Sequence, residues 1–576
     1  MLKLNELKNI NNPSRYIGGE AGEIIKRGQF TCKTVFAVPM PYEMGSINFN
    51  LRQMYYSVNK RRDSVLERVF AVMPDFEQLL KEKEQPLYSL ESKTPLEKFD
   101  ILFTELSNPL MYTTFLHMLR LSNIPLKRDI RDDEYPVIIA TGGGISNPNP
   151  MSKFVDVFVI GDLYYVADKI LDKYVLCKRE NAPREVFLKS ISFIDGVYIP
   201  SIHKAQDKQT IAINRKLNLT SMPCYQVTPS ISGMIDSVIM PITYGCNRNC
   251  SMCKHKYMYT NVEPKSVEKA VKDIITGVEA TGNTHVTLMT NCYGDYYGLP
   301  ELIYKLQDLE KPRIRELSFM EVKLNKDNMW LIPYLKEQYK RTGDIPTIIV
   351  GATNEKLRQI LGIDITDDDV LEIARKVFRA DFTKIRLKYV IGTPKETYED
   401  LNNIFELASK ITKIYFEEYS KLPEKYIVEI DVYGFTGDAH TPMQYAAVNN
   451  IEKLQMKARY LSEKNVHEYV KLTFENFEQT EVMTILGRGN ERLADAIYSA
   501  EAAGANLEFI PQFFNYDTWK IALNKARIDV KELLEEKTED YAFPWDNIEV
   551  GTTKEELKAR YFEIMKGKSN ENSSNK

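Results

Sequence analysis

Three of the seven cysteines of this 576-residue chain lie within eight residues, as Cys246, Cys250 and Cys253. Thiolates are soft ligands that suit iron–sulfur clusters and zinc. The intervals of three and two residues let one loop surround a compact metal centre. Three cysteines leave one iron of a four-iron cluster without a protein ligand, and a reactant can bind at that iron. The spacing therefore predicts a [4Fe–4S] cluster with one open position.

Two other interpretations of the triplet are chemically reasonable. His255 follows closely, so the three cysteines and this histidine fit a Cys3His zinc site, which would stabilise a binding module for a ligand such as RNA. A disulfide is the second alternative, but nothing in the sequence indicates the oxidising, secretory context in which disulfides persist. The other four cysteines, Cys32, Cys177, Cys224 and Cys292, are scattered and are expected to be free thiols.

Composition limits the class of protein. The chain is 43% hydrophobic and 27% charged, with a net charge of −4, so no global basic field indicates nucleic-acid binding. The N-terminus has no apolar signal segment, and no apolar run has the length of a membrane span. We therefore expect a cytoplasmic, reducing location and no membrane partner. The length predicts about two to four domains.

The first segment, residues 1–215, alternates between strand and helix patterns. Buried strands are predicted at 34–39, 99–103, 136–140 and 156–162, with helices between them, which is typical of a doubly wound, Rossmann-like parallel sheet. Such sheets bind ligands at the carboxyl ends of their strands. Glycines in loops there let the backbone approach a ligand, although a glycine triplet fits an ordinary tight turn equally well. The candidate ligand-binding residues are Tyr42, Gly142, Gly143, Gly144 and Gly161.

The second segment, residues 235–445, contains the cysteine triplet. A strand at 236–243 leads into it, and a helix with one apolar face follows from Val267. Five more strands alternate with helices, which predicts a partial (β/α)6 TIM-type barrel. Active sites of such barrels lie at the C-terminal ends of the strands, where the cysteine loop would also lie. This agreement favours the cluster over zinc.

The third segment, residues 446–565, is predicted to be an α/β extension, and residues 566–576 a disordered polar tail. Helices are expected at 451–461 and 492–500. The Gly487-Arg488-Gly489 turn offers a guanidinium to a phosphate or carboxylate, but a simple turn is favoured. An aromatic group around Trp519 is expected to be core.

Several motifs, taken in order, resemble the uncharacterised B12-binding radical S-adenosylmethionine (SAM) family over nearly all of the chain. The resemblance implies a cobalamin-binding-like domain at 1–215, a radical SAM core at 235–445 and a family-specific region at 446–565. The motifs are Asn147-Pro148-Asn149-Pro150, Val159-Ile160-Gly161-Asp162, the cysteine triplet, Ile391-Gly392-Thr393-Pro394, Ala439-His440-Thr441-Pro442, Gly487-Arg488-Gly489 and Pro544-Trp545-Asp546.

The resemblance also implies a reaction. Cys246, Cys250 and Cys253 would hold the cluster, and SAM would bind the open iron and be cleaved reductively to a 5′-deoxyadenosyl radical. That radical would abstract a hydrogen atom from a substrate carbon, with an electron donor such as flavodoxin or ferredoxin. If cobalamin also binds, methyl transfer would follow; without it, rearrangement or sulfur insertion stay open. The substrate class, whether small molecule, peptide or RNA, also stays open.

The resemblance assigns residues to these cofactors. SAM contacts are expected from Met252, Thr290, Asn291, Asn354, Ile391 and Gly392. The loop residues Tyr42, Gly142, Gly143, Gly144 and Gly161 become candidates for cobalamin. Tyr293 and Asp295 are candidate catalytic residues by their position after the second strand of the core.

Overall fold

The computed structural model describes residues 4–203, 211–212, 224–231, 237–259, 262–311, 314–419, 422–423 and 425–566. The tail predicted at 566–576 therefore lies, beyond its first residue, outside the described residues. Within the described ranges, no helix combines the length and the apolar character needed to cross a membrane.

The N-terminal region forms the predicted doubly wound sheet. Its strand order is β2-β1-β3-β4-β5-β6, parallel except for the antiparallel edge strand β6. This order is that of flavodoxin-like sheets, in which ligands bind outside the carboxyl ends of the strands. The strands are β1 (Cys32–Val38), β2 (Ser64–Phe70), β3 (Ile101–Glu105), β4 (Val137–Thr141), β5 (Val157–Val159) and β6 (Val197–Tyr198).

Helices cover both faces of this sheet. One face packs against α2, α5 and α6, and the other packs against α3 and α4. Because both faces are covered, β2 is buried along its whole length. The helices are α1 (Tyr42–Gly45), α2 (Phe49–Lys60), α3 (Pro74–Glu82), α4 (Tyr112–Leu121), α5 (Leu163–Arg179) and α6 (Arg184–Ile191).

The central region contains all six of the predicted core strands and a seventh. They form a three-stranded parallel sheet, β12-β11-β8, and a four-stranded parallel sheet, β13-β14-β15-β16. One parallel bridge, Lys323 to Thr347, joins the two sheets. Closure into a barrel stays a prediction. The strands are β8 (Val238–Pro241), β11 (His285–Met289), β12 (Glu316–Phe319), β13 (Thr347–Gly351), β14 (Ile385–Ile391), β15 (Val428–Gly434) and β16 (Val470–Phe474).

Short strands complete the set. β9 pairs with β10 beside the cysteine loop, and β7 pairs with β17. Their bounds are β7 (Ile211–Ala212), β9 (Thr243–Tyr244), β10 (Glu263–Pro264) and β17 (Ile548–Glu549).

The helices of the core begin at good caps. Ser266 accepts a hydrogen bond from the Lys269 N–H (3.3 Å) at the start of α8, and Thr366 and Asp369 form a capping box at α12. The helices are α7 (Lys254–Met258), α8 (Val267–Thr281), α9 (Leu299–Gln307), α10 (Ile332–Thr342), α11 (Glu355–Ile360), α12 (Asp367–Arg379) and α13 (Asn403–Glu418).

The C-terminal region does not form a core of its own. Val482, Ile485, Ile497 and Trp519 share one hydrophobic cluster with Phe115 and other residues of the N-terminal sheet and its helices. The expected core role of the aromatic group around Trp519 is confirmed, since Trp519 is buried. The helices are α14 (Ile451–Lys464), α15 (Phe477–Arg488), α16 (Leu493–Ala502), α17 (Tyr516–Lys525), α18 (Val530–Leu534) and α19 (Lys554–Met565).

The Gly-Arg-Gly segment is the C-terminal end of α15, at the junction of these regions, and the predicted turn is wrong because Gly487 and Arg488 are helical. Asn147 of the N-terminal region donates its amide to the carbonyls of Gly487 (3.2 Å) and Gly489 (2.7 Å). The buried Arg488 donates to the carbonyls of Gln444 and Ala446, both at 3.1 Å. Buried backbone carbonyls need such partners. The guanidinium is therefore occupied by the protein itself, which gives an anion site no support.

His117, on α4, forms a second polar contact across this junction. Its Nε2 lies 3.0 Å from Glu77 on α3, and its Nδ1 lies 3.4 Å from Glu501 on α16. Burial lowers the pKa of His117, but the hydrogen bonds and charges of Glu501 and Glu77 outweigh burial and raise it to about 9. The imidazolium therefore links the N-terminal and C-terminal regions at neutral pH.

We expect His117→Gln to remove a pH-dependent part of the stability. An unfolded histidine has a pKa of about 6.5, so the ion pairs stabilise the fold fully below that pH and are lost as pH rises through about 9. Chemical unfolding should show wild type losing roughly 2–3 kcal/mol between these limits relative to the variant. His285→Gln, at a far more exposed histidine, is the control. Parallel pH profiles for wild type and His117→Gln would contradict the prediction.

Candidate active site

The cysteine loop leaves the core sheet at its carboxyl edge. Gly245 follows β9 with a left-handed φ of 84°, and the loop runs from there to α7 without regular structure. The Ser251 N–H donates to the Leu361 carbonyl (2.7 Å). Gly362 lies so close to Asn249 that an added Cβ would be 2.1 Å from the Asn249 carbonyl oxygen. Glycine is thus required at position 362, where φ is +65° and a neighbouring backbone is in contact.

The three thiols share one region of this loop. Cys246 and Cys250 are partly buried and Cys253 is exposed. Burial, together with the negative charges of Cys253 and Cys246, raises the pKa of Cys250 to about 12. Burial also raises the pKa of Cys246. Thiolates so close together repel one another, and a cationic metal centre would relieve that repulsion. The donor set therefore fits an iron–sulfur cluster.

A single-ion site does not form here. Among the described residues, no three His, Cys, Asp or Glu side chains are arranged to hold one metal ion. His255 points its Nε2 at the Asn291 amide nitrogen (2.7 Å). Burial, with a smaller effect from Lys323, lowers the pKa of His255 to about 4, so the ring is neutral. This placement gives the Cys3His zinc alternative no support.

Arg248 ties the cysteine loop to the end of β11 and to the segment after β12. Its Nη2 donates to the Cys292 sulfur (3.1 Å) and pairs with Asp327 (2.8 Å). Asp295 accepts a hydrogen bond from the Asn247 N–H (3.4 Å) and lies 3.7 Å from the same guanidinium. The candidate Asp295 therefore anchors the loop beside the cysteines; its catalytic role stays a prediction.

Three of the predicted SAM-contact residues surround the loop. Thr290, at the end of β11, hydrogen-bonds Thr243 through its hydroxyl. Asn291 donates its amide to the Gly245 carbonyl (3.2 Å), which orients it toward the loop. Met252 packs against a hydrophobic cluster that includes Ala352, directly after β13. The structure thus places Thr290 and Asn291 at the start of the loop, and Met252 on the loop itself, against the cluster near the end of β13.

A cavity of about 450 Å³ separates the cysteine loop from the N-terminal sheet. Its sheet wall is formed by strand ends, including Gly142, Gly143 and Gly161, and its opposite wall includes His255 and Asn291. The volume is within the range of roughly 300–1,000 Å³ that small-molecule sites occupy. The cavity is a shared chamber between two carboxyl edges.

Lys254, directly after the third cysteine, connects the two walls of the cavity through a hydrogen bond. Its Nζ donates to the Gly143 carbonyl (2.8 Å). The glycine loop is fixed from the other side by Gly144, whose N–H donates to the Leu106 carbonyl (2.7 Å). Gly142, Gly143 and Gly161 line the cavity, whereas Gly144 is buried behind it, and their binding of a ligand stays a prediction.

Tyr42 is not at this cavity, and its assignment to a ligand is wrong. Its hydroxyl donates to Glu20 (2.6 Å) and accepts from the Ser230 N–H (3.1 Å), and the ring is buried against Phe70. The loop after β1 coils into α1, which turns this side chain into the core.

An acid pair at the cavity was missed by sequence reasoning. The Tyr244 hydroxyl donates to Asp162 (2.6 Å), and both residues line the cavity. Burial raises the pKa of Asp162 to about 7; the Tyr244 hydrogen bond opposes this shift and the charge of Glu263 adds to it. The available signal was positional: Asp162 follows the predicted ligand glycine, and Tyr244 precedes the cysteines by two residues.

Two family models match the chain. Residues 50–200 match the model for radical SAM proteins, N-terminal, and residues 240–408 match the radical SAM superfamily model. The chain belongs to the radical SAM superfamily. Radical SAM enzymes use a [4Fe–4S] cluster and SAM, so the expected enzyme class and these two cofactors are confirmed.

Three individual proteins that resemble the chain have low sequence identity to it. An uncharacterized protein of Methanocaldococcus jannaschii, MJ0966, is 25% identical over 71% of this chain and 82% of its own length. A tRNA-2-methylthio-N(6)-dimethylallyladenosine synthase of Herpetosiphon aurantiacus is 23% identical over 49% of this chain and 64% of its own length. The solved structure of the cobalamin-dependent S-adenosylmethionine radical enzyme OxsB, with aqua-cobalamin and S-adenosylmethionine bound, aligns at 12% identity with a TM-score of 0.45 over 93% of this chain and 79% of that one.

Two residues of this radical SAM core that are predicted to contact SAM already form hydrogen bonds within the protein. Asn354 caps α11 by accepting from the Leu357 N–H (2.9 Å) and donates to Asp400 (2.7 Å). The Gly392 N–H donates to Glu396 (2.8 Å). These side-chain and backbone groups have structural partners, so a direct contact with SAM would have to compete with them.

Ile391 and Tyr293 lie in the core. Ile391 is fully buried, and its carbonyl accepts from the Phe435 N–H (3.0 Å). The Tyr293 hydroxyl donates to the carbonyls of Leu288 (2.7 Å) and Met320 (3.0 Å), and the side chain is buried. This placement makes Tyr293 a bridge between the ends of β11 and β12 and argues against its candidate catalytic role.

We expect Gly362→Ala to displace the cysteine loop and to lower iron incorporation severalfold. The added methyl group would meet the Asn249 carbonyl at 2.1 Å. Gly343→Ala is the matched control, because Gly343 also has a left-handed φ (+74°) but open space around it. Iron per chain after anaerobic reconstitution measures the effect. Equal iron contents in the two variants would show that the contact does not position the loop.

Proposed function

We propose that this radical SAM enzyme cleaves SAM reductively at a [4Fe–4S] cluster held by Cys246, Cys250 and Cys253, and takes a hydrogen atom from a substrate carbon. The observation that carries the proposal is the three-thiol loop at the carboxyl edge of a parallel sheet, flanked by Tyr244 and Lys254, which line a cavity. The bound cluster supplies the electron for SAM cleavage. An electron donor such as flavodoxin or ferredoxin would then have to reduce the cluster again.

The surrounding side chains would orient the reactants. Thr290 and Asn291 place a hydroxyl and an amide beside the cysteine loop, and both groups can accept hydrogen bonds from an ammonium. Met252 offers an apolar, polarizable surface for a ring. We assign these three residues to SAM, while Asn354, Ile391 and Gly392 would contribute mainly by shaping the strand ends.

The cavity indicates a polar substrate. Amide side chains of Asn50, Gln53 and Asn291 line it together with the carboxylates of Glu105 and Asp162. Such a lining would recognise a ligand with several hydrogen-bonding groups more readily than a hydrocarbon. Buried Asp162, with its pKa near 7, could accept a proton from a substrate O–H or N–H.

A cobalamin-dependent methyl transfer is the more specific version of this proposal. The cavity lies outside the carboxyl ends of β3, β4 and β5, where doubly wound sheets bind ligands. His255 is the one histidine among its lining residues, and it pairs with Asn291. Cobalamin would therefore bind without an axial histidine from the N-terminal sheet. The methylthio chemistry in the name of the Herpetosiphon relative makes sulfur insertion into RNA the alternative outcome.

Alanine at Cys246, Cys250 or Cys253 should abolish formation of 5′-deoxyadenosine from SAM under reducing, anaerobic conditions, because each thiolate is expected to bind an iron. Cys224→Ala is the control, since Cys224 lies away from the cysteine loop beside Gln226 and Ile239. The assay is chromatographic quantification of 5′-deoxyadenosine alongside iron per chain. Wild-type amounts of 5′-deoxyadenosine from any of the three variants would refute the assignment.

Gly143 tests the cavity as a cobalamin chamber. A Cβ here would lie 3.4 Å from the Ser107 carbonyl, so Gly143→Ala fits, whereas Gly143→Leu would project into the space beside Lys254. We expect wild type and Gly143→Ala to retain near-stoichiometric cobalt after incubation with hydroxocobalamin and desalting, and Gly143→Leu to retain little. Equal cobalt in all three would place cobalamin elsewhere. If none of the three proteins retains cobalt, cobalamin-independent chemistry replaces the methyl-transfer proposal.

A further inference from the structure

The last helix, α19, lies against the outside of the cysteine loop. A capping box of Thr553 and Glu556 begins it. Its buried residues, Tyr561 and Ile564, join a hydrophobic cluster that also contacts Met252. At its end, the Met565 carbonyl accepts a hydrogen bond from the Lys395 ammonium (2.6 Å). The helix is thus fixed at both ends and along one face.

Arg560 extends from this helix onto the loop at two points. Its Nη2 donates to the Asn249 carbonyl (2.9 Å), directly before Cys250 in sequence. Its guanidinium carbon lies 5.7 Å from the centre of the Tyr257 ring, on the helix that follows Cys253. The Arg560 side chain therefore contacts the residue before Cys250 and the helix after Cys253.

The Asn249 carbonyl is held between two distant parts of the chain. Arg560 donates to it from one side, and Gly362 is packed against it from another. The neighbouring Ser251 N–H is bound to Leu361. The middle of the cysteine loop therefore has little freedom, and Arg560 is the cationic member of this arrangement.

The hydrogen bond to the Asn249 carbonyl brings the charge of Arg560 to the residue before Cys250. The same guanidinium lies beside the ring of Tyr257, on the helix that begins directly after Cys253. A guanidinium stays charged at any physiological pH. Net charge and hydrogen bonding around an iron–sulfur cluster set its reduction potential, and a nearby positive charge favours the reduced form.

We propose that Arg560 is a positioning residue: it fixes the loop that carries the cysteines and makes the cluster easier to reduce, so that the C-terminal helix helps to set the potential of the enzyme. This inference rests on the proposed cluster at Cys246, Cys250 and Cys253. It assigns a role in the radical SAM site to a residue more than 300 positions away from those cysteines in sequence.

Three variants separate the two parts of the role. Arg560→Gln removes the charge and the cationic contact, Arg560→Lys keeps the charge but not the planar guanidinium, and Lys558→Gln removes a charge two positions away, off the same helix face. The readouts are the cluster midpoint potential by redox titration followed by electron paramagnetic resonance, the rate of cluster loss in air, and amide hydrogen exchange of residues 246–253 in the metal-free chain.

We expect Arg560→Gln to lower the midpoint potential, to speed cluster loss in air severalfold and to raise exchange in the loop. Arg560→Lys should restore much of the potential but not the exchange protection, and Lys558→Gln should match wild type. If Arg560→Gln assembles no cluster, faster loop exchange in the metal-free Arg560→Lys variant supports the positioning role, and wild-type exchange in that variant overturns it.

Two results would overturn the inference in distinguishable ways. A wild-type chain that takes up no iron on reconstitution would refute the proposed function, and this inference with it. An iron-loaded Arg560→Gln variant with the potential, air stability and loop exchange of wild type would refute the role of Arg560 alone and leave the proposed function intact.

Discussion

The structure depends on how the irregular cysteine loop satisfies its backbone. A loop without helix or sheet must find partners for its buried carbonyl and amide groups elsewhere. Here partners come from distant segments: Leu361 binds the N–H of the buried Ser251, and Arg560 binds the carbonyl of the exposed Asn249. The position of the thiols is therefore a property of the whole fold. This explains why the chain needs a region beyond the radical SAM core.

The same constraint links the two parallel sheets. Each presents its carboxyl edge to the cavity, and loops at such edges leave polar backbone groups exposed to it. Lys254 joins them by donating to Gly143, and Tyr244 joins them by donating to Asp162. Both contacts come from residues next to the cysteines. A ligand in the N-terminal sheet and a reaction at the cysteine loop would thus share one set of walls.

Local patterns predicted the strands and identified the cysteine triplet, because these depend on short spacing in the sequence; metal binding by the triplet stays a prediction. The six core strands and the parallel N-terminal sheet followed from apolar runs. Functional roles predicted only from a residue's position after a strand were less well supported by the structure. Tyr42 and Tyr293 follow strands as a ligand residue would, but their hydroxyl groups bond inside the core. Contacts such as Arg560 with Asn249 join residues with no shared local pattern.

The three segments predicted from the sequence are not structurally independent of one another. The helices α15, α16 and α17 complete the hydrophobic face of the N-terminal sheet, and α19 covers the cysteine loop of the core. Asn147 of the first segment donates to a carbonyl of the third, and Arg488 of the third donates to the Gln444 carbonyl of the second. Removing the C-terminal region would expose an apolar face and leave buried polar groups unpaired, each at a cost of about 1–3 kcal/mol. The C-terminal region therefore belongs to the architecture of the site, and changes far from the cysteines should alter the metal centre.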